Sequence, residues 1–364
     1  MIYLDNAATK LGNYNTFNSN SLYAETEQNK LYEYRNKIAK CISAEPEEIY
    51  FTSGGCESNS WAIQGIANKY KSKGNHIITS CIEHPSILNC CKYLENNGFE
   101  VTYLSVDKNG SINLEELQNA IKDTTILISI MHINNEIGTI QPIFKIGEIA
   151  REHDIIFHTD CVQSMGLLPI NVMKNNADLI SASGHKFGAP FGIGFLYIKK
   201  GVEISPLIFG GSQEQGLRGG TTNLPAIKRM THCLADSYKS VDKRIETGLI
   251  KIYLKDRLKT TFDFIKINTP DLCSSNILSV TFKGIDAEEL VLFLNDMGIQ
   301  VSAGSACHSG NAEPSYVLKA IGLTDEEAKS TVRFSLSNKN TYGQIDILIN
   351  VLQQYFKMRG IYEQ

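Results

Sequence analysis

Leu179-Ile180-Ser181-Ala182-Ser183-Gly184-His185-Lys186-Phe187-Gly188 runs from an apolar, strand-like start into a turn of Ser, Gly and His that carries a lysine. The run before it has the same form: Ile155-Ile156-Phe157 leads into His158-Thr159-Asp160-Cys161-Val162-Gln163-Ser164. Moving outward, further β-rich apolar runs stand at Ile77-Ile78-Thr79, Val101-Thr102-Tyr103-Leu104 and Ile126-Leu127-Ile128-Ser129-Ile130. Helical patterns fill the gaps at 58–70, 86–96, 114–121 and 143–153. Strand and helix in alternation predict an α/β fold with a mostly parallel sheet covered on both faces. In such folds ligands sit at the carboxyl ends of the strands.

At 364 residues the chain exceeds what one compact core usually holds. A long helical pattern over 225–261 is expected to cross from the first lobe to a second. Beyond it come a strand at 277–282 and a helix opening on Asp286-Ala287-Glu288-Glu289, a capping-box pattern. The expected division is a large domain at 13–261 and a smaller C-terminal α/β domain formed by 1–12 and 262–364.

The net charge of -4, with no block of Lys and Arg interleaved with aromatics, argues against direct nucleic-acid binding. No apolar run reaches the ~18 residues of a membrane span, and the first residues lack the regions of a signal peptide, so a cytoplasmic protein is expected. Nine cysteines, scattered singly apart from Cys90-Cys91, show no metal-ligand spacing and suit a reducing compartment.

In the turn quoted first, Lys186 suits a Schiff-base amine held beside phosphate donors, and equally a surface-loop lysine. Asp160, at the end of the preceding strand, favours the first reading. An aspartate there can pair with the pyridine nitrogen of pyridoxal phosphate, although a single such aspartate is more often a helix cap. Gln163 would come back toward the same ring and its phenolic oxygen. Thr52-Ser53-Gly54-Gly55-Cys56-Glu57-Ser58-Asn59 is a glycine turn opening a helix, where exposed N–H groups favour an anion.

In this order the elements resemble the cysteine desulfurases of the NifS/IscS type, fold-type I pyridoxal-phosphate enzymes of the class V aminotransferase family. The likeness extends through Tyr3-Leu4-Asp5-Asn6-Ala7-Ala8-Thr9, Glu83-His84 and Met131-His132-Ile133-Asn134-Asn135-Glu136-Ile137-Gly138. It continues at Arg218-Gly219-Gly220-Thr221, at residues 302–307 and at Arg333-Phe334-Ser335-Leu336. The resemblance implies a seven-stranded sheet in the large domain and pyridoxal 5'-phosphate as cofactor, with Lys186 bonded to it and moving protons at the substrate Cα. It implies that His84 stacks on the ring as an acid or base, and that Asp160 and Gln163 make ring contacts. Phosphate would be held by the backbone of Gly55 and Cys56, by Ser183 and His185, and by Thr221 from the other subunit of a homodimer. Arg333 would clamp the carboxylate of L-cysteine, with Asn135 beside it and beside the cofactor.

Val301-Ser302-Ala303-Gly304-Ser305-Ala306-Cys307-His308-Ser309-Gly310-Asn311 is too poor in apolar side chains for a core, so Cys307 is expected to be exposed and mobile. Its thiolate would take sulfur from the bound substrate as a persulfide, much as in thiol–disulfide exchange, and hand it to a sulfur-acceptor protein. The form of this run resembles the subgroup with a long, mobile persulfide loop. Cys56 stands where the family generally has Thr, His308 where Ser or Thr is usual and Ser337 where Gly is usual, while Asn18-Ser19-Asn20-Ser21-Leu22-Tyr23 matches the family only loosely. The resemblance implies a sulfur acceptor in iron–sulfur cluster assembly or in a nucleic-acid or other thiolation pathway, and the short stretch after the last helical pattern suggests an acceptor different from, or narrower than, a general iron–sulfur scaffold. Selenocysteine lyase, β-lyase and aminotransferase chemistry on the same fold are the alternatives, as is a non-catalytic carrier.

Overall fold

The computed structural model describes residues 22–304 and 313–361. The motif at 3–9, residues 18–21, and Cys307 with its neighbour His308 lie outside the described residues.

Seven strands build the large sheet: β1 (Ile49–Thr52), β2 (His76–Ser80), β3 (Glu100–Leu104), β4 (Thr125–Ser129), β5 (Ile156–Asp160), β6 (Leu179–Ser183) and β7 (Gly194–Ile198). Their order is β3-β2-β4-β5-β6-β7-β1, and β7 alone runs against the rest. β2, β4, β6 and β7 are buried along their whole length. Strands covered on both faces read as unbroken β-rich runs, which is why β2, β4, β5 and β6 were visible in the sequence, while the partly exposed edge strand β3 was visible from its β-branched and aromatic side chains. β1 escaped that reading because it is only four residues long, and β7 because it follows a glycine-broken turn.

Alternate residues of these strands face opposite sides. Ile77, Leu127, Leu179 and Leu196 join one core with Trp61 and Ile63 of α2 (Gly55–Tyr70) and with Ile87 and Cys91 of α3 (Pro85–Glu95). The helix before them, which we number α1 (Leu22–Ile42), packs on the other face. There Ile78, Ile128, Phe157 and Ile180 meet Ile38 of α1, Leu117 of α4 (Leu114–Ala120), Ile146 of α5 (Ile143–Glu152) and Met230 of α6 (Leu224–Lys239).

The single long helix expected over 225–261 is in fact two, α6 and α7 (Val241–Thr261), broken at Ser240 with φ -86° and ψ 50°. Ser240 turns its N–H and its Oγ back to the Asp236 carbonyl, a local bond that competes with helix propagation. The break lets α6 stay on the large sheet while α7 buries Ile250, Leu254 and Leu258 in a separate core.

That core belongs to an antiparallel sheet in the order β10-β11-β9-β8, formed by β8 (Ile265–Ile267), β9 (Ile277–Phe282), β10 (Ser302–Ala303) and β11 (Thr331–Ser335). Helices α8 (Ala287–Asp296) and α11 (Tyr342–Met358) cover it, with Phe262, Phe282 and Phe356 at the centre. Asp286 caps α8 by accepting from the N–H groups of Glu288 and Glu289. Between β10 and β11 stand α9 (Tyr316–Ala320) and α10 (Asp325–Lys329). Ser337 has no positive φ, so the serine costs nothing where a glycine was expected. No helix among the described residues is long and apolar enough to cross a membrane.

Candidate active site

The parallel strands all end at one edge, and a cleft of about 430 Å³ opens there against the second sheet. Its lining includes Gly55, Cys56, His84, Asn135, Asp160, Gln163, Ser183, His185, Lys186 and Arg333. These ten come from six separate stretches of sequence brought together by strand order. Thr221 is exposed and is not part of this lining, and Cys307 lies outside the described residues. An adjoining cavity of about 450 Å³ shares Gln163 and Lys186 and is rimmed by Arg229, Asp236, Lys243 and Arg244, but Asp160, His84 and His185 line the first cleft.

Lys186 sits in a single 3-10 turn, Gly184–Phe187, directly after β6. Gly188 closes the turn at φ 89°, a left-handed conformation that glycine adopts without strain. Burial, and then the nearby Arg333 guanidinium, push the Lys186 amine below its ordinary value, while Asp160 opposes them. A larger neutral fraction makes this amine a better nucleophile than a surface lysine.

Asp160 ends β5 and is buried. Its Oδ1 accepts from Val162 N–H at 2.8 Å and its Oδ2 from Asn59 Nδ2 at 2.7 Å. Burial still pushes its carboxyl upward, against those two bonds and the nearby His84 and Lys186. The site therefore favours a further cation at this carboxylate.

At the head of α2, a Cβ on Gly55 would stand 2.6 Å from Val162 Cγ2. Only glycine lets the first turn of this 16-residue helix, with its unpaired N–H groups, lie against the strand ends. Ser183 Oγ and His185 Nδ1 are 2.9 Å apart beside it. Together they make a cradle suited to an anion.

Asn134 shapes the loop after β4. Its Oδ1 accepts from the N–H groups of Glu136 and Ile137, and its Nδ2 donates to the Ile82 carbonyl at 3.0 Å. The Asn135 carbonyl then accepts from Arg333 at 3.0 Å, and a second Arg333 nitrogen donates to Ser302 Oγ at 3.2 Å. Arg333 Nε and Asn135 Oδ1 are buried without a partner.

The loop that carries His84 is pinned by Glu83. Its carboxylate accepts from Ser80 Oγ at 2.6 Å and from Met131 N–H at 3.0 Å. Burial pushes the Glu83 carboxyl up to about 8 despite these donors. In the unfolded chain it ionises near the ordinary glutamate value, so between about pH 5 and 8 the native state keeps a proton that the unfolded state has lost. Stability should fall across that window as pH rises, by up to about 1.4 kcal/mol per pH unit from this group. Urea unfolding followed from pH 5 to 8 should show a flatter profile for Glu83→Gln; an unchanged slope would refute the assignment.

The lining also holds residues that sequence reading did not single out for the site: Asn59, Ser86, Met131, Asn276 and Ser335 among them. Asn59 lies one helical turn past Gly55, so i,i+4 spacing could have placed it on the same face. Asn276, in the turn before β9, and Ser335, at the end of β11, carry no such signal.

A family model described as Aminotransferase class-V matches residues 2–348. "Cysteine desulfurase IscS" of Methanosarcina thermophila is 46% identical, over 97% of this chain and 91% of its own length. The protein of the same name from Clostridium botulinum strain Hall is 44% identical over 94% and 88%. Among solved structures, a "NIFS-LIKE PROTEIN" aligns with a TM-score of 0.88 at 33% identity, covering 95% of this chain and 92% of that one. The structure titled "SspA in complex with cysteine" aligns with a TM-score of 0.79 at 40% identity, covering 89% and 91%.

Proposed function

The chain belongs to the cysteine desulfurases of the class-V aminotransferase family, and from that premise we propose that it takes sulfur from L-cysteine, leaves alanine and holds the sulfur as a persulfide on Cys307. The observation that carries the reading is the meeting of Lys186, Asp160, His84 and Arg333, from four distant segments, around one cleft.

Pyridoxal 5'-phosphate, when bound, withdraws electrons from the substrate Cα and eases loss of its proton. The residues present fit it. Asp160, buried and short of a cation, suits a protonated ring nitrogen, and Gln163 shares that side of the cleft. The α2 terminus at Gly55 and Cys56, with Ser183 and His185, suits the phosphate. Lys186 supplies the amine and moves the proton at Cα. Arg333 receives the substrate carboxylate, which would satisfy the buried Nε that otherwise costs free energy. Cys307, as thiolate, attacks the substrate sulfur. As the new S–S bond forms the Cβ–S bond breaks, its electron pair stays with carbon, and a proton completes the alanine methyl.

The same reading includes a homodimer and a sulfur-acceptor protein. Thr221 is exposed, and the Gly219 N–H of its loop bonds the Ile208 carbonyl at 2.9 Å, next to Phe209. Phe209 and Phe191 are 85% and 87% exposed, and a two-fold partner that received Thr221 would cover such apolar side chains. All eight described cysteines are free, in keeping with a cytoplasmic setting.

Incubation with L-cysteine should yield alanine, with mass spectrometry placing added sulfur on Cys307. Pyruvate with sulfide in place of alanine would mean a β-lyase, and sulfur on no cysteine would remove the persulfide step. Arg333→Lys should raise KM for L-cysteine about 10- to 100-fold with a smaller effect on kcat, because lysine loses the planar fork. Steady-state alanine formation measures this, and an unchanged KM would move the carboxylate site elsewhere.

A further inference from the structure

His84 caps α3, a place more often taken by Ser, Thr, Asp or Asn. Its Nδ1 accepts from the Ser86 backbone N–H at 3.1 Å and lies 2.8 Å from Ser86 Oγ. A backbone N–H only donates, so Nδ1 carries no hydrogen and the Ser86 hydroxyl must donate to it as well. The next link agrees. Asn59 Nδ2 lies 2.7 Å from Asp160 Oδ2 and 3.0 Å from Ser86 Oγ. The carboxylate turns the amide nitrogen toward itself, and the second amide hydrogen then goes to Ser86 Oγ, leaving the hydroxyl hydrogen for the imidazole. A chain of directed hydrogen bonds thus runs from Asp160 through Asn59 and Ser86 to His84.

We propose that Ser86, oriented by Asn59, is a positioning residue that holds His84 as the neutral tautomer protonated at Nε2. His84 then meets a bound ligand as a hydrogen-bond donor and leaves proton transfer at Cα to Lys186; this last clause alone rests on the desulfurase reading. For His84 to act as a base through Nε2, its hydrogen would have to sit on Nδ1, pointing at the Ser86 N–H. Asp160 and Lys186, the charged groups acting on the ring, work in opposite senses on its imidazolium form. Neither supplies an acceptor for a hydrogen on Nδ1.

The test is nitrogen NMR of protein labelled with ¹⁵N-histidine, purified with and without cofactor, with the His84 signals assigned by their loss in His84→Gln. At pH 8 the wild type should show hydrogen on Nε2 and a bare Nδ1. Ser86→Ala should shift the tautomer ratio toward Nδ1–H by about five- to tenfold, the size of one lost hydrogen bond, and Ser86→Thr should restore it. Asn59→Ala should give a smaller shift of the same sign, and serves if Ser86→Ala does not fold. Hydrogen on Nδ1 in the wild type, or a ratio unmoved in both alanine variants, would overturn the proposal. A protein that keeps the Nε2–H tautomer yet makes no alanine from cysteine would retain this inference and lose the desulfurase reading.

Discussion

Lys186→Ala is expected to lower alanine formation from L-cysteine by at least about 10³-fold, the loss that follows when one group serves both as nucleophile and as proton carrier. The turn that carries Lys186 is clamped at both ends: Gly184 N–H bonds Ile193 O at 2.9 Å and Ala189 N–H bonds Gly184 O at 3.0 Å. The side chain enters the cleft with an amine that burial and Arg333 already push toward neutrality. Lys186→Arg should fail as fully, because a guanidinium keeps its proton and offers no lone pair. Both variants should fold, with unchanged far-UV circular dichroism, since neither alters the sheet, and both should lose the visible absorption of bound cofactor that borohydride removes. An alanine variant retaining a tenth of wild-type activity would exclude the assigned role.

The second large effect concerns Cys307. Cys307→Ala should retain cofactor but lose roughly 10²-fold or more of alanine formation, as when a positioned reacting group is deleted. Three of the described cysteines are unsuited to replace it. Burial pushes the Cys90 thiol up to about 11 and Cys161 up to about 12, and Cys91 still higher, so all three stay protonated near neutral pH. Quantifying alanine and mapping sulfur by peptide mass spectrometry checks both points. Persulfide on Cys90, Cys91 or Cys161 would contradict this account of their environments.

The strand runs at 77–79, 126–130 and 179–181 were legible because a doubly covered strand is built mainly of apolar and β-branched side chains, whatever its neighbours. Helix α5 was legible from spacing, since Ile143, Ile146, Ile149 and Ala150 bury one face. Ser240 was not read as a break, because serine is compatible with both a helix and its end, and the choice was made by which core each half could enter. Of the site, Lys186, Asp160 and Gly55 could be argued from local chemistry, as each stands where a strand meets a turn or helix. His84 and Arg333 came through family resemblance. Asn59, Ser86, Asn276 and Ser335 were given no role by either route.

Local order therefore determined the alternating architecture and the polar groups at strand ends, because backbone periodicity and turn chemistry act over a few residues. Tertiary structure alone decided that Arg333, on the second sheet, faces Lys186 and that His84 spends its Nδ1 on Ser86. These facts depend on the order of strands and the docking of two cores, where hydrogen-bond direction follows from distances of about 3 Å between segments far apart in the chain.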